Sequence, residues 1–220
     1  KLQGDFFIGD NDTVPGGEGN PQANGISAGG NVLGRWSHTF AENNQMQLQV
    51  YYDREHLEAP FQGANFGGPA IPPCTLGDDL DTADVDFQHH FFLGERNNFV
   101  WGLGYRFTHD DVQGAPLVTF LPEVQNHHLF SGFIQDEIKL LETVYLTVGS
   151  KVEHNDYTGF EFEPSARLQW NVTDNQMIWG AVSRSVRMPS RYDRDLFEPS
   201  PAYGAFLGAS NSTFKSETVI

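Results

Sequence analysis

The sequence lacks any long apolar run. Only 39% of its 220 residues are hydrophobic, and no segment approaches the roughly 18 uninterrupted apolar residues that a membrane-spanning helix needs. A helical membrane protein is therefore excluded. A transmembrane β-barrel is not, because its strands carry an apolar residue only at every second position and its composition resembles that of a soluble protein.

Basic residues and cysteine are also scarce. Lysine and arginine together number 13, against 29 aspartate and glutamate residues, and the formal net charge is -16. Such a chain repels phosphate backbones, so we expect no binding to nucleic acid. Cys74 is the only cysteine, and it has no partner for a disulfide within this sequence.

Aromatic residues are plentiful, and apolar residues alternate with polar ones. The 18 Phe, 7 Tyr and 4 Trp residues are types that favour β-sheets. In residues 45–52 the apolar positions are Met46, Leu48, Val50 and Tyr52. Similar alternation occurs in 84–91, 99–108 and 144–153. A period of two predicts strands with one apolar and one polar face.

The alternating segments and their connections predict an all-β fold. We expect eight strands and the start of a ninth, at approximately 28–40, 45–56, 81–93, 98–110, 128–140, 143–154, 161–171, 176–187 and from Lys215. Tight turns at 41–44, 94–97, 140–142 and 172–175 alternate with longer segments at 1–27, 57–80, 111–127, 155–160 and 188–214. This segregation is typical of an antiparallel up-and-down transmembrane β-barrel, with its long loops outside the cell. A barrel of eight or nine strands can be complete or can be a partial barrel, a portion of a larger one.

Large aromatic residues near the strand ends are candidates for interfacial girdles, where a ring with a polar edge is favoured. They are Trp36, Tyr51, Tyr52, Trp101, Tyr145, Trp170 and Trp179. Ordinary packing in a protein core is the alternative interpretation.

Linked motifs follow one another in the second half of the sequence. They are Phe-Ile-Gln-Asp-Glu at 133–137, Val-Gly-Ser-Lys-Val-Glu at 148–153, Pro-Ser-Ala-Arg-Leu at 164–168, Ser-Arg-Ser-Val-Arg-Met-Pro-Ser at 183–190 and Lys-Ser-Glu-Thr at 215–218. Their order and spacing over residues 128–220 resemble the barrel strands of TonB-dependent receptors. The match before residue 128 is loose.

The resemblance implies an outer-membrane receptor of a Gram-negative bacterium that takes up a scarce nutrient, such as a ferric siderophore or another iron complex. It also implies outer-membrane lipid around the barrel and a TonB-type partner that supplies energy through a plug domain. A barrel of this family has roughly 22 strands. We therefore expect residues 1–220 to be the central portion of the barrel domain, with the plug, the signal peptide and the terminal strands absent from this sequence.

No motif supports an enzyme, a metal site or a cofactor. The Gly-Ile-Ser-Ala-Gly segment at 25–29 has the spelling of a nucleophile elbow but not the strand and helix that the motif requires. Neighbouring histidines, at 89–90 and 127–128, point to opposite faces of a strand and cannot share one ion. The acidic segments 10–12 and 78–81 do not follow a recognised calcium-loop spacing.

The candidate ligand-binding residues form a basic run. They are Arg187, Arg191, Arg194 and Tyr192, with Phe61 and Phe66 in another predicted loop. Arginine forks bind anions such as an iron chelate or a lipid phosphate, so rim arginines bound to lipopolysaccharide are an alternative of equal weight. Alternation places Arg184 and Arg187 on opposite faces unless a bulge intervenes.

Two other functions remain open from the sequence. One is a passive, porin-like barrel, and the other is a soluble β-rich module that binds a ligand such as a carbohydrate. The soluble module would partition into buffer without detergent, and a plug domain in the full-length protein would distinguish a receptor from a passive barrel.

Overall fold

A computed structural model describes residues 1–13, 23–61, 72–115, 118–200, 205–209 and 213–220. The elements are β1 (Leu2–Thr13), β2 (Ala23–Ala41), β3 (Asn44–Phe61), β4 (Cys74–Leu93), β5 (Asn97–Gln113), β6 (Thr119–Phe120), β7 (Val124–Leu141), β8 (Val144–Asn155), β9 (Gly159–Thr173), β10 (Gln176–Ser183), β11 (Ser185–Arg187), α1 (Arg191–Arg194), β12 (Leu196–Ser200), β13 (Ala205–Ala209) and β14 (Glu217–Val219). Nine of these strands form one antiparallel sheet in the order β1-β2-β3-β4-β5-β7-β8-β9-β10. The predicted partial barrel wall is confirmed.

The two ends of this sheet differ. Turns of two or three residues join β2 to β3, β4 to β5, β7 to β8 and β9 to β10, all at one end, which we call the turn end. Gly94 adopts a positive φ of 69° in one of these turns, a conformation that glycine accepts readily. The other connections lie at the opposite end, the loop end, and all are longer except the three-residue turn at 156–158 between β8 and β9. The predicted segregation of tight turns and long segments is therefore confirmed apart from this one turn.

The strand register separates an apolar face from a polar face. Residues directly paired across antiparallel strands project their side chains to the same side. One such row runs across four strands through Trp36, Leu48, Phe87 and Leu103. The adjacent row, through Arg35, Gln49, Asp86, Gly104 and Ser131, belongs to the polar face.

The apolar face has no protein layer over it within the described ranges. Among the described residues, Val112 is the only hydrophobic residue that is buried, and its pairing with Asp78 places it on the polar face. Leu103 and Ile134, which lie in the middle of the sheet, are 58% and 55% exposed. Apolar surface of this extent marks an interface. Lipid can cover this face without a second protein layer. A soluble sandwich is not supported.

The apolar band ends before the strands do. On the same face, Arg54 pairs with Asp81 at 3.7 Å and with Asp79 at 3.4 Å, and the hydroxyl of Tyr52 donates to Asp81 at 2.5 Å. Ion pairs of this kind belong in water. The strand segments on the loop-end side of Arg54 and Asp81 therefore lie outside the membrane-spanning band.

These extensions account for the boundaries that the sequence analysis missed. β4 begins at Cys74 rather than near 81, and Leu2–Thr13 is a strand although 1–27 was expected to be a loop. Above the apolar band both faces of a strand meet water, so no alternation marks it, and backbone hydrogen bonds alone continue the ladder.

The expected girdle is correct only in part. Trp36, Tyr52, Trp101 and Trp170 share the apolar face with their paired neighbours. Tyr51, Tyr145 and Trp179 pair instead with residues of the polar face, so their assignment to a lipid-facing girdle was wrong. A tyrosine or tryptophan interrupts alternation without revealing which side it occupies, because its amphipathic ring fits both.

Candidate functional site

A strap formed by residues 188–195 crosses the polar face at the loop end. Its helix α1 begins after Ser190, whose hydroxyl accepts a hydrogen bond from the Asp193 amide at 3.3 Å. In return the carboxylate of Asp193 accepts from the Ser190 amide at 2.8 Å. These bonds lower the pKa of Asp193 and form a capping box, which fixes the start of a helix too short to be stable alone.

Arg191 anchors the strap to the wall. Its Nη1 lies 2.7 Å from Oδ1 of Asp110, on the polar face of β5, and its Nε lies 3.7 Å from Oδ2 of Asp195. The Arg191 side chain is only 10% exposed, and the two acidic side chains are 15% and 11% exposed. A pair this far removed from water is screened little by salt.

The same guanidinium also binds the connection between β5 and β7. Its Nη2 donates to the carbonyl oxygens of Pro122 and Glu123, the latter at 3.1 Å. The guanidinium carbon stands 5.1 Å from the centre of the Phe120 ring, in the range of a cation–π contact. Arg191 thus joins the strap, the wall and a second loop.

A carboxyl pair lies beneath Arg191. Asp78, on β4 and beyond the apolar band, interacts with Asp110. Burial and the negative charge of Asp110 raise the pKa of Asp78 to about 6, and Arg191 opposes this shift. Two neighbouring carboxylates that share one cation favour one bound proton.

Tyr157 forms a second anchor, in the turn between β8 and β9. Its hydroxyl donates to Asp195 at 2.7 Å and lies 3.0 Å from Nε2 of His127. Arg194 donates from Nη1 to the carbonyl oxygen of Tyr157 at 2.6 Å and stacks over its ring at 4.8 Å. Burial, with the hydrogen bond to Asp195, raises the pKa of Tyr157.

The remaining members of the basic run point outward. Arg187 has a side chain that is 67% exposed, and it pairs with Glu217 at 3.2 Å and with Asp193 at 3.8 Å. Tyr192 is 67% exposed, with its ring edge-on to Phe120. The structure therefore divides the predicted cluster into two residues with exposed side chains, Arg187 and Tyr192, and two arginines that are held against the wall and its turns, Arg191 and Arg194.

Arg184 does not occupy the face that alternation assigned to it. It lies in the break between β10 and β11, donates to the carbonyl oxygen of Phe162 and to Thr218, and approaches Glu161, on the polar face, at 4.0 Å. The strand is interrupted at Arg184, so the exception stated for the alternation argument applies and alternation no longer assigns Arg184 and Arg187 to opposite faces.

The predicted aromatic pair cannot be placed. Phe66 lies outside the described residues. Phe61 ends β3, and only its backbone is described. Within the described ranges, no three side chains of His, Cys, Asp or Glu are arranged to hold a metal ion, and no helix is long and apolar enough to cross a membrane.

The strap roofs a cavity of about 280 Å³ at the loop end of the polar face. Its lining includes Arg106, Asp110, His127, Tyr157 and Pro189. Arg106 and Asp110 are engaged in ion pairs within the chain, and most of the surface that faces the cavity is apolar.

Comparison with known proteins decides the family. The model of the TonB-dependent receptor-like β-barrel matches residues 2–220. The chain belongs to this family. As a TonB-dependent receptor barrel it lies in the outer membrane of a Gram-negative bacterium, and its family consists of transport receptors rather than enzymes.

Individual relatives of this receptor barrel agree with that assignment. The iron-regulated outer membrane virulence protein of Vibrio cholerae is 33% identical over 82 residues, which are 37% of this chain and 12% of that protein. The siderophore receptor PirA of Acinetobacter baumannii has a TM-score of 0.56 at 14% identity, over 89% of this chain and 31% of that one. A variant of the ferric enterobactin receptor PfeA of Pseudomonas aeruginosa has a TM-score of 0.53 at 14% identity, over 95% and 41%. The chain thus spans well under half the length of these relatives.

Sequence reasoning missed the acidic partners of the basic run. Asp78 and Asp110 fall in predicted strand or loop margins with no pattern of their own, and Tyr157 sits in a short turn. The available signal was charge balance: arginines in a chain of net charge -16 are expected to find carboxylates of the same protein before they find a ligand.

Proposed function

We propose that this chain is part of the wall of an outer-membrane receptor that imports an iron complex, most simply a ferric siderophore, and that it is not an enzyme. The observation that carries the proposal is the polar face, which is lined with charged residues and crossed by a strap at its loop end. A barrel closed from such a sheet has a polar lumen. The names of the relatives, which concern iron regulation and siderophores, support the choice of cargo.

We further propose that residues 1–220 are the central portion of the barrel domain. A plug domain and the terminal strands would lie elsewhere in the protein, and the plug would contact a TonB-type partner. The lipid of the outer membrane would cover the apolar face. The shares of the relatives that the chain covers support this arrangement.

For ligand capture, we propose that Arg187 and Tyr192 make direct contacts, with Phe61 and Phe66 as further candidates. Arg191 and Arg194 remain part of the proposed site. They would support the two exposed residues rather than contact the ligand, because ion pairs and hydrogen bonds within the chain engage their side chains. An exposed arginine next to an exposed tyrosine suits a planar anion, to which both offer hydrogen bonds. In the alternative interpretation, Arg187 would bind a phosphate of lipopolysaccharide at the rim through the same donors.

The test is an uptake experiment with the full-length gene. A deletion strain should lose uptake of at least one of three radioactive iron complexes, a ferric catecholate, a ferric hydroxamate or ferric citrate, and the restored gene should return it. Collapse of the proton-motive force should abolish this uptake. Uptake that persists after the collapse would favour the passive barrel, and unchanged uptake of all three complexes would contradict the proposed cargo.

A further inference from the structure

Arg191 occupies a cage made of oxygen atoms from three separate parts of the chain. The wall contributes Asp110, the connection between β5 and β7 contributes the carbonyl oxygens of Pro122 and Glu123, and the strap contributes Asp195. These oxygens carry negative or partial negative charge and converge on a single guanidinium. Without a cation they would repel one another in a site that excludes most water.

Charge rather than hydrogen-bond alignment dominates this cage. Six buried side-chain polar atoms of the described residues lack a hydrogen bond, and five of them lie here: Asp78 Oδ1, Asp110 Oδ1, Gln125 Oε1, and Nε and Nη1 of Arg191. The Arg191 and Asp110 atoms stand 2.7 Å apart and still do not align. The carboxylates of the cage are therefore balanced by the charge of Arg191, while the carbonyl oxygens of Pro122 and Glu123 accept hydrogen bonds from its Nη2.

We infer that Arg191 is a positioning residue: its guanidinium is the internal cation that holds the strap on the wall, and through the strap it holds Arg187 and Tyr192 at the loop end. Arg187 lies three residues before Ser190, where the strap helix is capped, and Tyr192 is the next residue after Arg191. Loss of the cation releases one edge of the strap. The contacts of Arg194 and Asp195 with Tyr157, and the hydrogen bond from the Leu121 amide to the carbonyl oxygen of Asp195 at 2.8 Å, then hold only the end of the strap that leads into β12. The inference goes beyond the proposed function, and its test needs no ligand.

Chemical rescue distinguishes this role from a general need for a large side chain. The full-length receptor, with Cys74→Ser, carries a spin label at Tyr192→Cys, a position that is exposed. Arg191→Ala should shorten the rotational correlation time of the label severalfold. Millimolar guanidinium chloride, far below denaturing concentration, should restore most of the original spectrum, because the free ion is planar and charged like the lost group. Equal concentrations of sodium chloride should not.

Arg187→Ala is the matched control, since its guanidinium is exposed and its ion pairs lie at the surface. This variant should leave the label unchanged and insensitive to guanidinium. A label on Arg191→Ala that stays as immobile as in the parent, or a mobile one that guanidinium does not restrain, would overturn the inference. If Arg191→Ala does not fold, Asp110→Asn decides: the label should become mobile there, and an unchanged spectrum would overturn the inference as well.

Discussion

The wall and the strap are held by different forces. In the wall, each strand pairs with the neighbour that follows it in the sheet, through long continuous ladders such as the one between β3 and β4. In the strap, a few polar contacts join residues far apart in sequence, as Arg191 and Pro122 are, 69 positions from each other. A repeated pattern specifies the wall, so a single change weakens it by degrees. The strap depends on a handful of groups, and each of them is decisive for local order.

The largest effect is expected in the wall. Leu48 lies on the apolar face, in the row with Trp36 and Phe87. Leu48→Arg should destabilise the barrel by about 2–4 kcal/mol, because it moves a charge into the lipid band. Urea unfolding of the full-length receptor in lipid vesicles measures this. Gln47→Arg, on the polar face, should be nearly silent, and equal losses at both positions would contradict the face assignment.

The next effect should be confined to the strap. Asp110→Ala removes the wall carboxylate that faces Arg191 and should lower the local stability of the strap by about 1–3 kcal/mol, the scale of a lost charge-assisted contact. Hydrogen exchange should become faster in residues 188–195 and stay unchanged in the ladder between β3 and β4. Asp111→Ala, at the exposed neighbouring position, serves as the control. Faster exchange throughout the wall would show that the two regions are not independent.

A smaller effect is expected for ligand binding. Arg187→Ala should weaken binding of the transported iron complex by about 1 kcal/mol, roughly fivefold, because the contact it offers is largely exposed to water. Isothermal titration of the purified receptor measures the change. Arg167→Ala is the better control than Arg184→Ala, because Arg167 lies in the middle of β9, away from the loop end, whereas Arg184 lies in the break just before β11, which contains Arg187. Equal affinity of the parent and Arg187→Ala would contradict the proposed ligand contact and favour the alternative in which Arg187 binds lipopolysaccharide at the rim.

The last effect concerns Asp78 and depends on pH. Its pKa is raised to about 6 by burial and by Asp110, whereas an unfolded aspartate has a pKa of about 3.9. The folded state therefore holds the proton more tightly, and this group lowers stability progressively as the pH rises from about 4 to above 6. Asp78→Asn should raise the urea midpoint at neutral pH and change it little near about pH 4. An advantage that is equal at both pH values would exclude titration of Asp78 as its cause.

The sequence predicts the wall well and the strap poorly, for a physical reason. Met46, Leu48 and Val50 reveal their strand because lipid demands an apolar residue at every second position. No such demand acts on Asp110 or Arg191, whose contact depends on how a loop folds back over the sheet. Leu2–Thr13 was missed for a related reason, since its glycine and aspartate residues show little alternation.

Likewise, the basic run was recognised as unusual, but its composition did not distinguish Arg187, which is exposed, from Arg191, which is engaged. Both are arginines in an acidic chain. Both have carboxylates within reach, and only the fold shows that the ion pair of Arg191 is buried whereas that of Arg187 is exposed.

The strands of the wall extend beyond the apolar band at the loop end. β4 has 20 residues and is therefore about 66 Å long; at the usual tilt of such strands it rises about 50 Å, twice the height of a typical apolar band of about 25 Å. Paired strand, rather than loop, accounts for this difference in height. On this part of the wall, backbone-paired sheet therefore continues past the lipid headgroups, so the loop-end cluster around Arg191 stands on a strand scaffold outside the apolar band.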